Sequence, residues 1–485
     1  MTNGGGRRSR PMPYGRSGSA PARRGPCRRT PRQVQRRPPI TERPGGKMRF
    51  VTGSPIRVMT GAATALLLCT VAACGGSGGS AANGGSDSGK VEGKLRVMSN
   101  WTGSEGKAFE QVIKGFEDKY PSVKVQIETV PFDQGQALLT QQFAQGSPPD
   151  VAVALPGLIR TFSEQGLLVD LDSTWDKWIA NGEYTQVVRD MAQGAEHTDA
   201  VLFKGNVNSL VWYDPKQMTK LGVSVPHTWA QFTSVLNKAK DKGVAPFAVG
   251  GKDQWPLTQW TDSILLRVAG AKPFNDLARG KIAWDDPAIV KSFEVYADMI
   301  RSYFPETSLS SSFADATCAR VSGKYLFENQ GAFINLVDRQ ECGQSLEPGK
   351  DLAFFEMPAY SGDSAPQFVS GDLFMGAKDS KNPAATKALL QYLGSAQAQE
   401  IWAKIGGYVA PNAKVPASAY PNVNDRKAAA LWPKSASQQA GYDLDDWIGG
   451  EIQVKYQQAL SQFVRDTDVN AFIGKMKKID TRSQG

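Results

Sequence analysis

The chain has 485 residues, with 56 Lys and Arg against 47 Asp and Glu, for a formal charge of +9 and a pI of about 9.1. That balance invites a nucleic-acid partner, but the excess is confined to the front: residues 1–47 carry +12, residues 48–73 another +2, and the part from Cys74 onward −5. The body of the protein is therefore acidic and is read as having no nucleic-acid partner. His197 and His227, neither at ligand spacing from a cysteine, argue against a zinc centre.

Residues 1–47 are Pro, Arg and Gly with almost nothing apolar, so they cannot bury a core and are expected to be disordered. Three origins stay open for them: a start called upstream of the true one at Met48, an extended signal n-region, or a genuine basic arm. Arg49 and Arg57 then precede VMTGAATALLLCTVAAC, Val58 to Cys74, an apolar run of signal-peptide length and too short to span a bilayer as a helix. Val71-Ala72-Ala73-Cys74 resembles the bacterial lipobox, which makes residues 48–73 a lipoprotein signal peptide and Cys74 the lipidated first residue; a plain secretory cut near Ala73 would still export the chain. Residues 74–93 form a Gly/Ser tether. Its GGSGG at 75–79 matches G-x-S-x-G but lacks the strand before and helix after that a nucleophile elbow needs.

The globular part opens with a βαβ pattern. Leu95 and Val97 mark a strand; Thr102 and Glu105 have capping-box spacing; Phe109, Val112, Ile113, Phe116 and Tyr120 share one helical face that Pro121 stops. Val123, Val125 and Ile127 alternate as a second strand, a helix follows over roughly 135–145, and residues 148–154 read as a third, buried strand. Such alternation predicts an α/β sheet with ligands at the carboxyl ends of its strands, where Trp101 and Pro156 fall. From Lys94 on, close to four hundred residues suit two lobes better than one core.

Several dispersed segments carry a resemblance in their order and spacing: KAFEQVIKGFEDKYPSVKV, GSPPDVAV with FSEQGLLVDLD, LVWYDPKQMTKLGVSVPHTWAQF, GKYLFENQGAFI, and SKNPAATKALLQYLGSAQAQEIWAKIGGYVAPN. Over nearly all of its mature length the chain resembles the extracellular solute-binding proteins that serve ABC sugar importers, the group of maltose-binding protein. PFAVGGKDQWPLTQWTDSILLRVAG, the cysteines around FENQGAFI, and SGDLFMGAK look like the α-glucoside-binding branch, although Asn208 stands where that branch usually has a lysine. The resemblance implies a two-lobed type II periplasmic-binding-protein-like fold, each lobe an α/β sheet flanked by helices, joined by crossing hinge segments. By analogy lobe 1 takes 94–204 and 351–406, and lobe 2 takes 205–350 and 407–485. It further implies a monomer, lipid-anchored on the outer face of the cytoplasmic membrane through Cys74. That monomer would close on a neutral sugar and deliver it to ABC permease subunits, with no cofactor and no metal.

A pyranose packs its C–H face on aromatic rings and its hydroxyls on carboxylates and amides, which selects the candidates. Trp101, Trp255 and Trp260 are candidate platforms, with Asp262 two residues beyond the last; Thr102 and Glu105 either contact ligand or only cap their helix. Asn208 lies near the expected crossover, and Gly371 and Asp372 fall at the lobe interface by resemblance, Gly371 letting backbone approach the ligand and Asp372 either bonding it or shaping a turn. Asp338 and Arg339 occupy a loop that faces the cleft in relatives, or form a surface charge pair. Trp212, Trp229, Trp402 and Trp432 read as packing. In an exported chain Cys318 and Cys342 form a disulfide or remain two buried thiols. The rival readings are a secreted glycoside hydrolase, whose paired carboxylates sequence spacing cannot exclude, and a receptor for a non-sugar solute.

Overall fold

The computed structural model describes residues 89–342, 345–362, 366–433 and 439–484. The basic leader, the signal segment with its lipobox, Cys74 and most of the tether lie outside the described residues. The opening follows the periodicities: β1 (Gly93–Ser99), a helix over Gly103–Lys119 that buries Phe109, Val112, Ile113 and Phe116, β2 (Val123–Thr129), a helix over Phe132–Ala144, and β3 (Val151–Ala154). Tyr120 caps the first helix immediately before Pro121, whose ring cannot continue it. The other strands are β4 (Ala200–Val207), β5 (Leu210–Tyr213), β6 (Ala245–Ala248), β7 (Tyr325–Gln330), β8 (Ala353–Glu356), β9 (Gln367–Gly376) and β10 (Ala440–Tyr442).

Two sheets result. The first runs β10-β9-β3-β1-β2, with β4 also paired to β9; β1 is parallel to β2 and β3, and β9 antiparallel to β3 and β4. The second runs β6-β7-β5-β8. Two apolar cores result, one around Val97, Phe109, Phe203 and Phe374 that also takes Leu210, Trp212 and Phe354 from the second sheet, the other around Phe247, Trp260, Phe293 and Phe327 that takes Phe368 from the first. Among the described residues the chain passes from one half to the other at three places. Asn208 and Ser209 alone join β4 to β5, with Ser209 in the left-handed region at φ 56° and its hydroxyl donating to Ser263 Oγ at 2.8 Å. Residues 357–366 join β8 to β9, and Asp443 joins β10 to the helix Leu444–Ile448, which packs in the second core.

These crossings differ from the expected lobe boundaries. The strand expected to end lobe 1 at 204 continues in the first sheet to Val207, and β8 belongs to the second sheet. Residues 407–432 pack on the first core: Tyr408 stacks on Trp402 at 5.4 Å, and the Gly205 N–H donates to the Val409 carbonyl at 2.8 Å. The third crossing therefore comes at 443 and not at 407.

Cys318 and Cys342 are joined by a disulfide, Cα atoms 5.0 Å apart, tying the helix Phe313–Val321 to the end of the helix Ile334–Glu341. Beside it Arg320 is buried between Glu328, at 3.0 Å, and Asp338. Asp338 and Arg339 are thus helical and not in a loop, and they are not a surface pair. Asp338 is fully buried on Arg320, and burial pushes its carboxyl up against the pull of that guanidinium.

Candidate ligand site between the two sheets

β4 reads AVLFKGNV, and pairing on β9 buries all of it except Asn206, so Lys204 is carried to 4 % exposure inside an apolar strand. A buried ammonium needs a partner, and three kinds meet it. Glu105, from the first turn of the helix Gly103–Lys119, forms an ion pair with Nζ; Asp372 lies opposite Lys204 in the β4–β9 register; and Nζ sits over the rings of Trp402, Phe333 and Trp101 at 5.2, 5.5 and 5.9 Å. Burial pushes the Glu105 carboxyl up; Lys204 opposes this, and Asp372 and Glu341 add to it. Burial likewise raises Asp372, against Lys204 and the donors on Asn100 and Trp101.

The second sheet contributes aromatic faces. Trp255 begins the helix Trp255–Ala269 and packs on Phe313 at 5.0 Å and Phe333 at 6.2 Å, and all three rings are partly exposed. Glu341 reaches across to the start of the helix Gly103–Lys119, where its Oε1 accepts from the Ser104 amide at 3.1 Å and the Ser104 hydroxyl at 2.5 Å. This replaces the expected capping box: Thr102 is exposed and makes no side-chain cap, because Glu105 is turned to Lys204 and the free amide is taken by a carboxylate from the other lobe. Farther along the same interface Gly157, at the start of the helix Pro156–Glu164, touches Gly449. A Cβ on Gly157 would lie 2.4 Å from the Gly449 Cα and 2.8 Å from its nitrogen. The Arg160 guanidinium lies 4.7 Å from the Trp447 ring and donates to the Trp447 carbonyl.

At the crossing, Asn208 Nδ2 donates to Ser370 Oγ at 2.9 Å and its Oδ1 accepts from Asn206 at 2.7 Å, so both ends of the amide are engaged by protein. A Cβ on Gly371 would meet Leu202 at 2.5 Å and the Lys204 carbonyl at 2.7 Å, so its hydrogen atom lets β4 lie close to β9. Asp372 is in that strand and not in a turn.

The structure thus brings Trp101, Glu105, Asp372 and Trp255 together around Lys204 and Phe333, while Asn208 is held by Ser370 and Asn206 at the crossing. Trp101 is 4 % exposed among Phe109, Phe203, Phe374 and Trp402, which makes it a wall and not an open platform. Trp260 is a core residue, 1 % exposed between Phe247 at 4.5 Å and Phe304 at 5.1 Å, and Asp262 is fully buried; neither presents a surface to the interface. Arg339 is partly exposed and faces Asp425. Sequence reading missed Lys204, Phe333 and Glu341. A lone lysine in an otherwise apolar strand was the available signal for the first; partners that lie 99 and 237 residues apart leave none for the pairings.

Residues 100–400 match the family model described as bacterial extracellular solute-binding protein. An uncharacterized ABC transporter extracellular-binding protein of Pyrococcus horikoshii is 26% identical over 335 residues, covering 67% of this chain and 74% of its own. The alpha-glucosides-binding periplasmic protein AglE of Rhizobium meliloti is 27% identical over 385 residues, covering 74% and 80%. Among solved structures, the bacterial solute receptor AcbH, described as having an exclusive preference for β-D-galactopyranose, superposes with a TM-score of 0.71 at 23% identity, over 81% of this chain and 98% of that one. Two helix-flanked sheets are the two-lobed type II arrangement of these structures, and the match across residues 100–400 shows that the chain belongs to the family of bacterial extracellular solute-binding proteins.

Proposed function

We propose that this chain is the extracytoplasmic receptor of an ABC importer for a neutral oligosaccharide of the α-glucoside class. The observation that carries the reading is the meeting of partly exposed rings of the second lobe, Trp255, Phe313 and Phe333, with the buried Glu105–Lys204–Asp372 group of the first. Rings offer stacking faces, and the fixed charges offer donors and acceptors to hydroxyls. A ligand held by both halves favours the form in which they touch, and the permease reads that form. Export, a lipid on Cys74, action as a monomer and lobe junctions at 208–209, 357–366 and 443 belong to the same proposal.

A calorimetric screen of maltose, trehalose, sucrose and cello-, xylo- and chito-oligosaccharides tests it. One α-linked sugar is expected to bind with a free energy of about −8 kcal/mol and to be recovered intact after long incubation. Hydrolysed product, or binding of none of the set, would overturn the reading. Trp255→Ala is expected to weaken the bound sugar about tenfold or more, about 1.4 kcal/mol; an unchanged affinity removes that ring from the site.

In an exported chain the Cys318–Cys342 bridge stays closed. Reduction is then expected to lower stability by about 3 kcal/mol, read as a shift of the urea midpoint with and without reductant. Equal midpoints would mean that the bridge adds nothing.

A further inference from the structure

Away from the Glu105–Lys204–Asp372 group, at the third crossing, three carboxylates share one buried spot. Asp262, on the helix Trp255–Ala269, and Asp443 and Asp445, on the returning segment, each place an oxygen within 4.8 Å of the others and are 0, 5 and 2 % exposed. The donors that reach them are neutral: the Leu444 amide to Asp262 Oδ2 at 2.7 Å, Gln259 Nε2 to Asp443 Oδ2 at 2.8 Å, and the Gln453 and Gln457 amides to Asp445 Oδ2 at 3.2 and 2.8 Å. The charges acting on Asp262 and Asp443 are those of other carboxylates. Three carboxylates so placed cannot all ionise without a counter-charge.

A second set of atoms points to what supplies it. The side-chain carbonyl of Gln259 and the hydroxyl of Tyr456 are buried without a partner, and Tyr456 is a fully buried residue with these same carboxylates among its surrounding charges. Buried polar atoms of this kind are ordinarily satisfied. The donor set is oxygen alone, which selects a hard cation over zinc or copper. The set is fully buried and all protein, which suits calcium, since magnesium gives up its waters reluctantly and is rarely held by an all-protein cage.

We propose that Asp262, Asp443, Asp445 and the Gln259 carbonyl hold a calcium ion that ties the helix Trp255–Ala269 to the segment returning from β10. The Tyr456 hydroxyl would then donate to a water or carboxylate oxygen of the ion's shell. The ion would brace the crossing itself, since β10 lies in the first sheet and the helix Leu444–Ile448 in the second core. The site is independent of the sugar reading, because the bound metal can be counted without any sugar.

The purified protein, stripped with EDTA and dialysed against millimolar CaCl2, is expected to retain one calcium per chain by elemental analysis and to gain about 3 °C or more in Tm over the EDTA form. Magnesium should give a smaller gain. Asp262→Asn and Asp443→Asn should each lose the metal and the Tm response together. Fewer than about 0.1 ion per chain with no Tm change would overturn the proposal. So would retention in both variants with loss in Asp170→Asn, which would place the ion at the exposed Asp170–Asp172–His197 group. Should the Asn variants fold poorly, terbium luminescence in the unaltered chain decides. Emission excited through tyrosine, displaced by calcium and at least about halved by Tyr456→Phe supports the site, and emission indifferent to Tyr456→Phe overturns it.

Discussion

Lys204→Met is expected to cost the unliganded protein about 3 kcal/mol or more at neutral pH, measured by urea denaturation. The lysine is 4 % exposed and is the cation that faces both Glu105 and Asp372; removing it leaves two buried carboxylates repelling each other beside Glu341. The pH dependence separates this from a simple packing loss. Burial already holds the Glu105 and Asp372 carboxyls above their ordinary values, and without the lysine they rise further. Between the unfolded and the raised folded values the native state binds more protons than the unfolded one, so stability falls as pH rises through that window and returns as pH is lowered. The deficit of the variant should therefore shrink as the buffer is acidified toward the ordinary carboxylate range. A deficit that stays constant with pH would assign the loss to the lysine's aliphatic stem, and no deficit would remove the charge argument altogether. Ligand affinity should fall with it, because Lys204 also sits over Phe333 of the other lobe.

Gly157→Ala is expected to reduce ligand affinity at least about tenfold, about 1.4 kcal/mol, while leaving the Tm of the unliganded chain unchanged or slightly raised. The methyl group would meet the Gly449 Cα at 2.4 Å, and all three nearest atoms are backbone of residues 448 and 449, which cannot swing aside as a side chain would. Within its own lobe the substitution is favourable, since alanine suits a helix better than glycine by about 1 kcal/mol. Stability and affinity should thus move independently, as they would for a contact made between the halves and not inside one. Gly449 is the poorer choice for this test, because its φ of 63° would strain any side chain placed there. Affinity equal to that of the unaltered chain would mean that the two glycines do not need to meet for the ligand to be held.

Periodicity made the first sheet readable. The alternation at Val123, Val125 and Ile127, the helical face from Phe109 to Phe116 and the stop at Pro121 are local, and local signals were enough for three strands and the two helices between them. The candidate site was legible only in part, for a physical reason. Trp101, Glu105, Asp372 and Trp255 are polar or aromatic residues next to strand or helix ends, where side chains from separate elements converge. Lys204 gave no such sign: its meaning comes from burial, and burial was created by β9, more than 160 residues away. Trp260 and Asp262 misled because they follow Trp255 in the same segment, yet once that segment is a helix packed on the second core they turn inward. The path after 407 was hidden similarly, since Tyr408 turns back onto Trp402 and Phe203.

The carboxylate of Glu341 on the Ser104 amide has a consequence for how the molecule breathes. A helix whose amino end is satisfied from across a gap loses that partner each time the gap widens, and its first turn frays. Hydrogen exchange at the Ser104 amide should therefore act as a gauge of the resting population: fast while the halves swing apart, slow once cargo has drawn them together.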